Sequence, residues 1–134
     1  HAGLNWLITG DHIINGSTVV IDPPDGNMGD YLRSLERLKS LTLDSILPGH
    51  GDVIDKPHKA IDWLINHRLE REAKIIAALR KTSNVTSREL VPMVYDDVDE
   101  KLHDLAEHSL LAHLLRLEED LRVKMVRGRW QLTR

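Results

Sequence analysis

The sequence has no cysteine and no phenylalanine, only three Trp and two Tyr, and no long apolar run. Without Cys there are no disulfides, thiolate metal ligands or Cys nucleophiles, so any metal must be held by His, Asp or Glu; the absence also fits a cytoplasmic protein. A membrane-spanning helix needs about 20 consecutive apolar residues, and nothing at the N-terminus has the charged-then-apolar form of a secretory signal. Membrane insertion is not expected. Neither sign of charge dominates: 18 Lys and Arg face 21 Asp and Glu, a formal charge of −3. There is therefore no general basic field, and nucleic-acid binding would need a local patch. His is plentiful, with 8 in 134 residues, and 41% hydrophobic with 29% charged residues describes a folding chain. Its length holds one full domain or two small ones. It begins at His1 rather than Met; we read His1 as a truncation or tag remnant and the chain as a trimmed piece.

The two halves read differently. Up to about residue 56, short β-rich runs (Leu4 to Thr9, Ser17 to Asp22, Ser45 to Pro48) are broken by Gly, Pro and Asp. Between the last two, Asn27 is placed to cap a helix in which Tyr31, Leu32, Leu35, Leu38 and Leu41 recur at helical spacing. A connection of that length suits a crossover in an α/β layer. Pro57 suits a first helical turn, and residues 58–81 contain no Pro or Gly, which predicts one long helix. Its apolar side is expected at Ile61, Leu64, Ile65, Leu69, Ile76 and Leu79, with Arg68, Glu70, Arg71, Glu72 and Lys74 as a solvated face.

After Thr82-Ser83-Asn84, Thr86 and Glu89 have capping-box spacing and open a short helix to about Tyr95. A helix from about Glu100 to Asp120 follows, then strands 121–126 and 129–133 around an Arg127-Gly128 turn. Helix, helix and terminal hairpin make a winged-helix pattern. We place the domain boundary after residue 81, giving domains 1–81 and 82–134. A 53-residue tail is small for independent stability and is expected to lean on the long helix before it.

Two motifs can carry chemistry: Thr9-Gly10-Asp11-His12 and Leu47-Pro48-Gly49-His50-Gly51. Each puts a metal-capable side chain at the C-terminal end of a predicted strand, where loops converge over a rigid sheet. Taken alone, each is more often a turn or loop than a metal ligand. One carboxylate and one imidazole are also too few for a tight zinc site, which uses three or more protein ligands.

In order, Thr-Gly-Asp-His-Ile (9–13), Gly-Ser-Thr-Val-Val-Ile-Asp-Pro-Pro-Asp-Gly (16–26), Tyr-Leu-x-Ser-Leu-x-Arg-Leu (31–38) and Ile-Leu-Pro-Gly-His-Gly (46–51) resemble the C-terminal half of a metallo-β-lactamase-fold hydrolase. His67-Arg68-Leu69-Glu70-Arg71-Glu72, Glu89-Leu90-Val91, Val94-Tyr95, Ser109 to Leu114 and Leu117-Glu118 resemble the winged-helix appendage of its lactamase-β-like-2 and glyoxalase-II-like branch. The resemblance implies an α/β fold, part of the αββα metallo-β-lactamase sandwich, followed by a small α+β winged-helix domain. It also implies two zinc ions, with Asp11 as the bridging carboxylate that orients the nucleophilic hydroxide and moves protons, and His50 as a ligand of the second ion. The family's His-x-His-x-Asp-His and Thr-Pro-Gly-His motifs do not occur in these 134 residues. The chain alone is therefore expected to hold zinc weakly and to be inactive. The implied substrate is a small ester or thioester, or a phosphodiester in single-stranded RNA.

Other candidates have plainer readings. His12 alternates away from Asp11 and is read as structural or as backing the site. Asn15, Gly16 and Ser17 either line the cleft or form a turn into the next strand. His58 and His67 are read as polar groups of the long helix. His103, His108 and His113, five residues apart, scatter around a helix instead of converging. Arg122, Lys124, Arg127, Arg129 and Arg134 make a basic wing that can grip phosphates, with Trp130 as a base-stacking platform or as core. From residue 82 on, however, eight basic side chains face ten acidic ones. We weigh packing against protein above nucleic acid; a winged-helix binding or dimerisation module is the alternative function. A half sandwich leaves Leu4, Leu7, Val19, Val20 or Ile21 uncovered on a sheet face, so a homodimer is expected.

Overall fold

The computed structural model describes residues 6–10, 27–39, 45–48 and 57–133, with side-chain environments for 27–39 and 58–133. The elements are β1 (Trp6–Gly10), α1 (Met28–Lys39), β2 (Ser45–Pro48), α2 (Pro57–Thr82), α3 (Ser87–Val94), a 3-10 turn (Glu100–Leu102), α4 (His103–Glu119), β3 (Val123–Val126) and β4 (Arg129–Leu132). The strand expected at Ser17 to Asp22 lies outside the described residues. So do the face residues Leu4, Val19, Val20 and Ile21, and the side chain of Leu7. The chain forms two compact units, one of residues 1–19 and 30–68, the other of 20–29 and 69–134.

In the first unit β1 and β2 pair in parallel, with Trp6 opposite Ser45, Leu7 opposite Ile46 and Ile8 opposite Leu47. Parallel neighbours need a crossover connection, and the expected helix between them is present as α1. Tyr31, Leu32 and Leu35 of α1 are buried, as are Ile61, Leu64 and Ile65 of α2. Polar contacts also join these helices. Lys39 Nζ lies 2.9 Å from Asp62 Oδ1, and the Arg68 guanidinium carbon sits 5.4 Å from the centre of the Tyr31 ring. Burial raises the Tyr31 phenol above its usual value, opposed by Arg68, so the hydroxyl stays protonated at neutral pH.

The second unit has a continuous core. Ile75, Ile76, Ala78 and Leu79 of α2 join Val85, Leu90, Val91, Val94, Tyr95, Leu110, Leu114, Leu117, Val123 and Trp130. The C-terminal tail thus leans on the preceding helix, as its small size predicts. Thr86 has the extended backbone of an N-cap, and its hydroxyl oxygen accepts from the Glu89 amide at 3.2 Å. Thr86→Ala orphans that amide and is expected to cost about 1 kcal/mol, read from the shift of the urea midpoint. The hairpin turn uses Arg127 (φ 53°) and Gly128 (φ 78°), two left-handed residues as a two-residue hairpin loop requires.

The solvated face expected on α2 is corrected by the structure. Glu70 is exposed, but Arg68, Arg71 and Glu72 are buried at 4%, 7% and 4% exposure, while Leu69, expected inside, is 42% exposed. Positions 61, 64, 65, 68, 72, 75, 76 and 79 make one stripe at helical spacing. Arg68 and Glu72 fall in the middle of it and are carried inward with the aliphatic residues.

Candidate functional site

The parallel register of β1 and β2 ends with Gly10 opposite Pro48, after an irregularity between Ile8 and Gly10. Asp11 follows Gly10 directly, and His50 stands two residues beyond Pro48. Asp11 and His50, together with His1, His12, Asn15, Gly16 and Ser17, lie outside the described residues. Among the described residues no group of three or more His, Asp or Glu can hold a metal ion.

The remaining histidines occupy separate environments. His58 is exposed. His67 is half-buried and stacks on Trp63, with ring centres 5.0 Å apart. His103 Nε2 lies 3.2 Å from the Tyr95 carbonyl oxygen and 3.0 Å from that of Val98. His108 is exposed, and His113 is fully buried. The spacing of five and five gives no shared ligand face, as expected.

Sequence reasoning missed the polar cluster where α2 meets α3 and α4. Glu72 reaches across to α4, where one carboxylate oxygen is 2.9 Å from His113 Nδ1 and the other takes a hydrogen bond from Arg116 Nη1. Arg71 Nη1 donates to the Val94 carbonyl at the end of α3 and to Asp97 Oδ1, both at 2.7 Å, and its guanidinium carbon lies 4.4 Å from the centre of the Tyr95 ring. These contacts tie one helix to the two that follow. The signal was available in the stripe itself, since a polar residue at an aliphatic position must find a buried partner.

Hydrogen bonding from Arg71 holds the Asp97 carboxyl below the usual carboxylate value, against partial desolvation. A lowered folded-state value means the pair's stabilisation is complete above the ordinary Asp value of about 4 and fades as pH falls through the folded value. Because the Asp97 side chain is 58% exposed, the effect is screened and modest. Asp97→Asn should therefore be less stable than wild type at pH 7, and the gap should close in acid. Urea midpoints of both proteins across this range test it; a gap that widens in acid refutes it.

The C-terminal hairpin is basic and outward. Arg122, Lys124, Arg127 and Arg129 are exposed. Arg129 donates to the Asn84 carbonyl at 3.1 Å and is 3.5 Å from Glu89. Trp130 is 2% exposed and belongs to the core, the reading its residue type favours over a base-stacking platform. The helix before the hairpin carries more acid than base. Residues 109–117 of α4 are buried or half-buried, and the helix carries Asp104, Glu107, Glu118 and Glu119.

Residues 86–130 match the family model described as the beta-lactamase associated winged helix domain. The chain is 31% identical over 121 residues to the beta-lactamase-like protein 2 homolog of Drosophila melanogaster, covering 89% of this chain and 40% of that protein. It is 38% identical over 91 residues to the Caenorhabditis elegans homolog, covering 68% and 30%. A more distant relative, 27% identical over 122 residues, is the atrochrysone carboxyl ACP thioesterase of Emericella nidulans, with 89% and 38% covered. Among solved structures, a beta-lactamase domain protein from Burkholderia ambifaria superposes with a TM-score of 0.83 at 23% identity, over 96% of this chain and 42% of that one.

A metallo-beta-lactamase family protein from Thermus thermophilus superposes with a TM-score of 0.80 at 22% identity, over 94% of this chain and 42% of that one, and together these matches define the class: a metallo-β-lactamase fold carrying a winged-helix C-terminal part. More particularly, the chain is a relative of the beta-lactamase-like protein 2 homologues and spans about two fifths of the length of the Drosophila one. No described helix is long and apolar enough to cross a membrane.

Proposed function

We propose that this chain is the C-terminal portion of a metal-dependent hydrolase of the metallo-β-lactamase superfamily, acting on an ester, thioester or phosphodiester bond. The observation that carries the reading is the parallel register that sets Gly10 against Pro48. It brings the backbones that lead into Asp11 and His50 out at one end of the sheet, where α/β folds gather their sites. The similarity to lactamase-like proteins and a thioesterase supports the reaction class and puts a thioester first among substrates. On this reading residues 1–81 form part of an αββα sandwich and residues 82–134 a winged-helix domain, and a second copy of the chain covers the sheet face that a half sandwich leaves uncovered.

Asp11 and His50 have the right donor chemistry for zinc and are too few to bind it tightly alone. A bound pair of cations lowers the pKa of water enough to make hydroxide near neutral pH. Asp11 would hold both cations and accept or return a proton at its carboxylate; His50 would donate a ring nitrogen to one of them. The other ligands come from a longer protein that contains this chain. The chain by itself is soluble, held in the cytoplasm, and inactive.

The test uses the whole protein and the chain side by side. The encoding frame should carry a His-x-His-x-Asp-His motif upstream of residue 1. The zinc-loaded whole protein should hydrolyse an acyl thioester or a single-stranded oligoribonucleotide, and Asp11→Ala and His50→Ala should each cost at least about a hundredfold in kcat/KM. The isolated chain should take up zinc only weakly. A frame without the motif, or full activity in both variants, sinks the reading.

A further inference from the structure

The hairpin that completes the second unit has one edge paired by Val85 and one edge that no described residue pairs. Its two-residue turn makes Val126 and Arg129 the closing hydrogen-bonded pair, and Lys124 with Gln131 is the next. The Thr133 amide donating to the Arg122 carbonyl at 3.0 Å continues that rhythm. Met125 and Trp130 form the intervening pair, so their backbone N–H and C=O groups point away from the ladder. On the β4 side Val85 takes both groups of Trp130, at 2.7 and 3.2 Å. On the β3 side no described residue takes those of Met125.

Around that edge the side chains are of two kinds. Leu121, Met125 and Val126 are 80%, 47% and 42% exposed. Arg122, Lys124 and Arg127 are exposed and form no ion pair among the described residues, and residues 121–134 contain no acidic side chain. A strand edge with backbone groups that no described residue takes, flanked by cations and apolar side chains, matches β-strand addition, in which the main chain supplies affinity and the side chains supply selectivity.

We propose that the edge of β3 is a docking strand for an extended acidic segment of a partner protein, alternating carboxylates with β-branched or aliphatic residues. The carboxylates lie on the face of Arg122 and Lys124 and reach Arg127 at the turn, the apolar residues lie on the opposite face with Met125, and the partner's backbone pairs with Met125. A nucleic acid fits less well. The hairpin's one aromatic ring, Trp130, is buried, so no base has a stacking platform, and α4 is acidic. This inference is independent of the hydrolase reading, because it uses only the second unit.

Fluorescence anisotropy on the 134-residue chain tests it, with a short fluorescein-labelled peptide alternating Glu with Val and Thr as the probe. We expect saturable binding that weakens as salt is raised. Met125→Pro removes the outward N–H without touching a ladder bond, and it should cost about tenfold or more in affinity with an unchanged thermal midpoint. Should that variant fold poorly, the same peptide N-methylated along its backbone gives the equivalent loss on the wild-type chain. Exchanging charges by Lys124→Glu with Arg127→Glu should abolish binding of the Glu peptide and create binding of its Lys counterpart. Three results overturn the proposal: no peptide binding at millimolar concentration, equal affinity for the N-methylated peptide, or tighter binding of an oligouridylate of the same charge.

Discussion

Trp130→Ala is expected to destabilise the second unit by about 3–5 kcal/mol, the usual cost of emptying a large buried aromatic site. The ring is 2% exposed and belongs to the same cluster as Ile75, Leu79, Leu90, Leu110 and Val123, so the cavity would open in the core that α2, α3, α4 and β3 share. The backbone of Trp130 keeps its two bonds to Val85 in the variant, which leaves packing as the quantity tested. Because a domain's whole stability is of the order of 5–15 kcal/mol, the variant should lose much of its cooperative transition. Urea unfolding followed by far-ultraviolet circular dichroism measures it. Trp130→Phe refills most of the volume and should lose clearly less. A loss below about 1 kcal/mol for the alanine variant would mean that the ring is not the keystone of this core.

Glu72→Ala carries the second large effect, about 3–5 kcal/mol, for a different reason. Its carboxylate is 6% exposed, faces His113, which is wholly buried, and also holds Arg116. Removing it leaves two donors in a site built around a negative charge, and an unmatched buried polar group costs more than its bond contributed. Glu72→Gln keeps the shape and can accept from Arg116 through one atom while facing His113 with the other, so it should fall between wild type and alanine. Replacing Glu72, His113 and Arg116 together by apolar residues should cost far less than the sum of the single losses, since no orphan remains. Simple additivity in the urea midpoints would contradict a coupled network.

Both effects rest on residues that the sequence ranks differently. Trp130 was legible as a candidate for core because it sits in a short alternating strand after a Gly turn. The capping box at Thr86 and Glu89, the long helix from Pro57, and the hairpin around Arg127-Gly128 were legible too, since each depends on neighbours within a few residues. Glu72 was not. Its type says solvent, and only its place in the stripe from Ile61 to Leu79 says interior. Which of the two wins depends on whether a later helix brings His113 and Arg116 to it, 41 and 44 residues further along the chain.

What the sequence determined by itself is therefore local: the order of elements, their caps and turns, the lack of any thiol ligand, and the two motifs whose resemblance points to a metallo-β-lactamase fold. What tertiary structure decided is pairing at a distance. It set β1 parallel to β2 so that Gly10 faces Pro48, drew Arg68, Arg71 and Glu72 out of solvent, and left one edge of β3 unpaired among the described residues. Local signals act through fixed covalent spacing and can be read along the chain. Long-range pairs depend on which surfaces the packed elements have to share, and the same side chains are consistent with solvent until that packing is known.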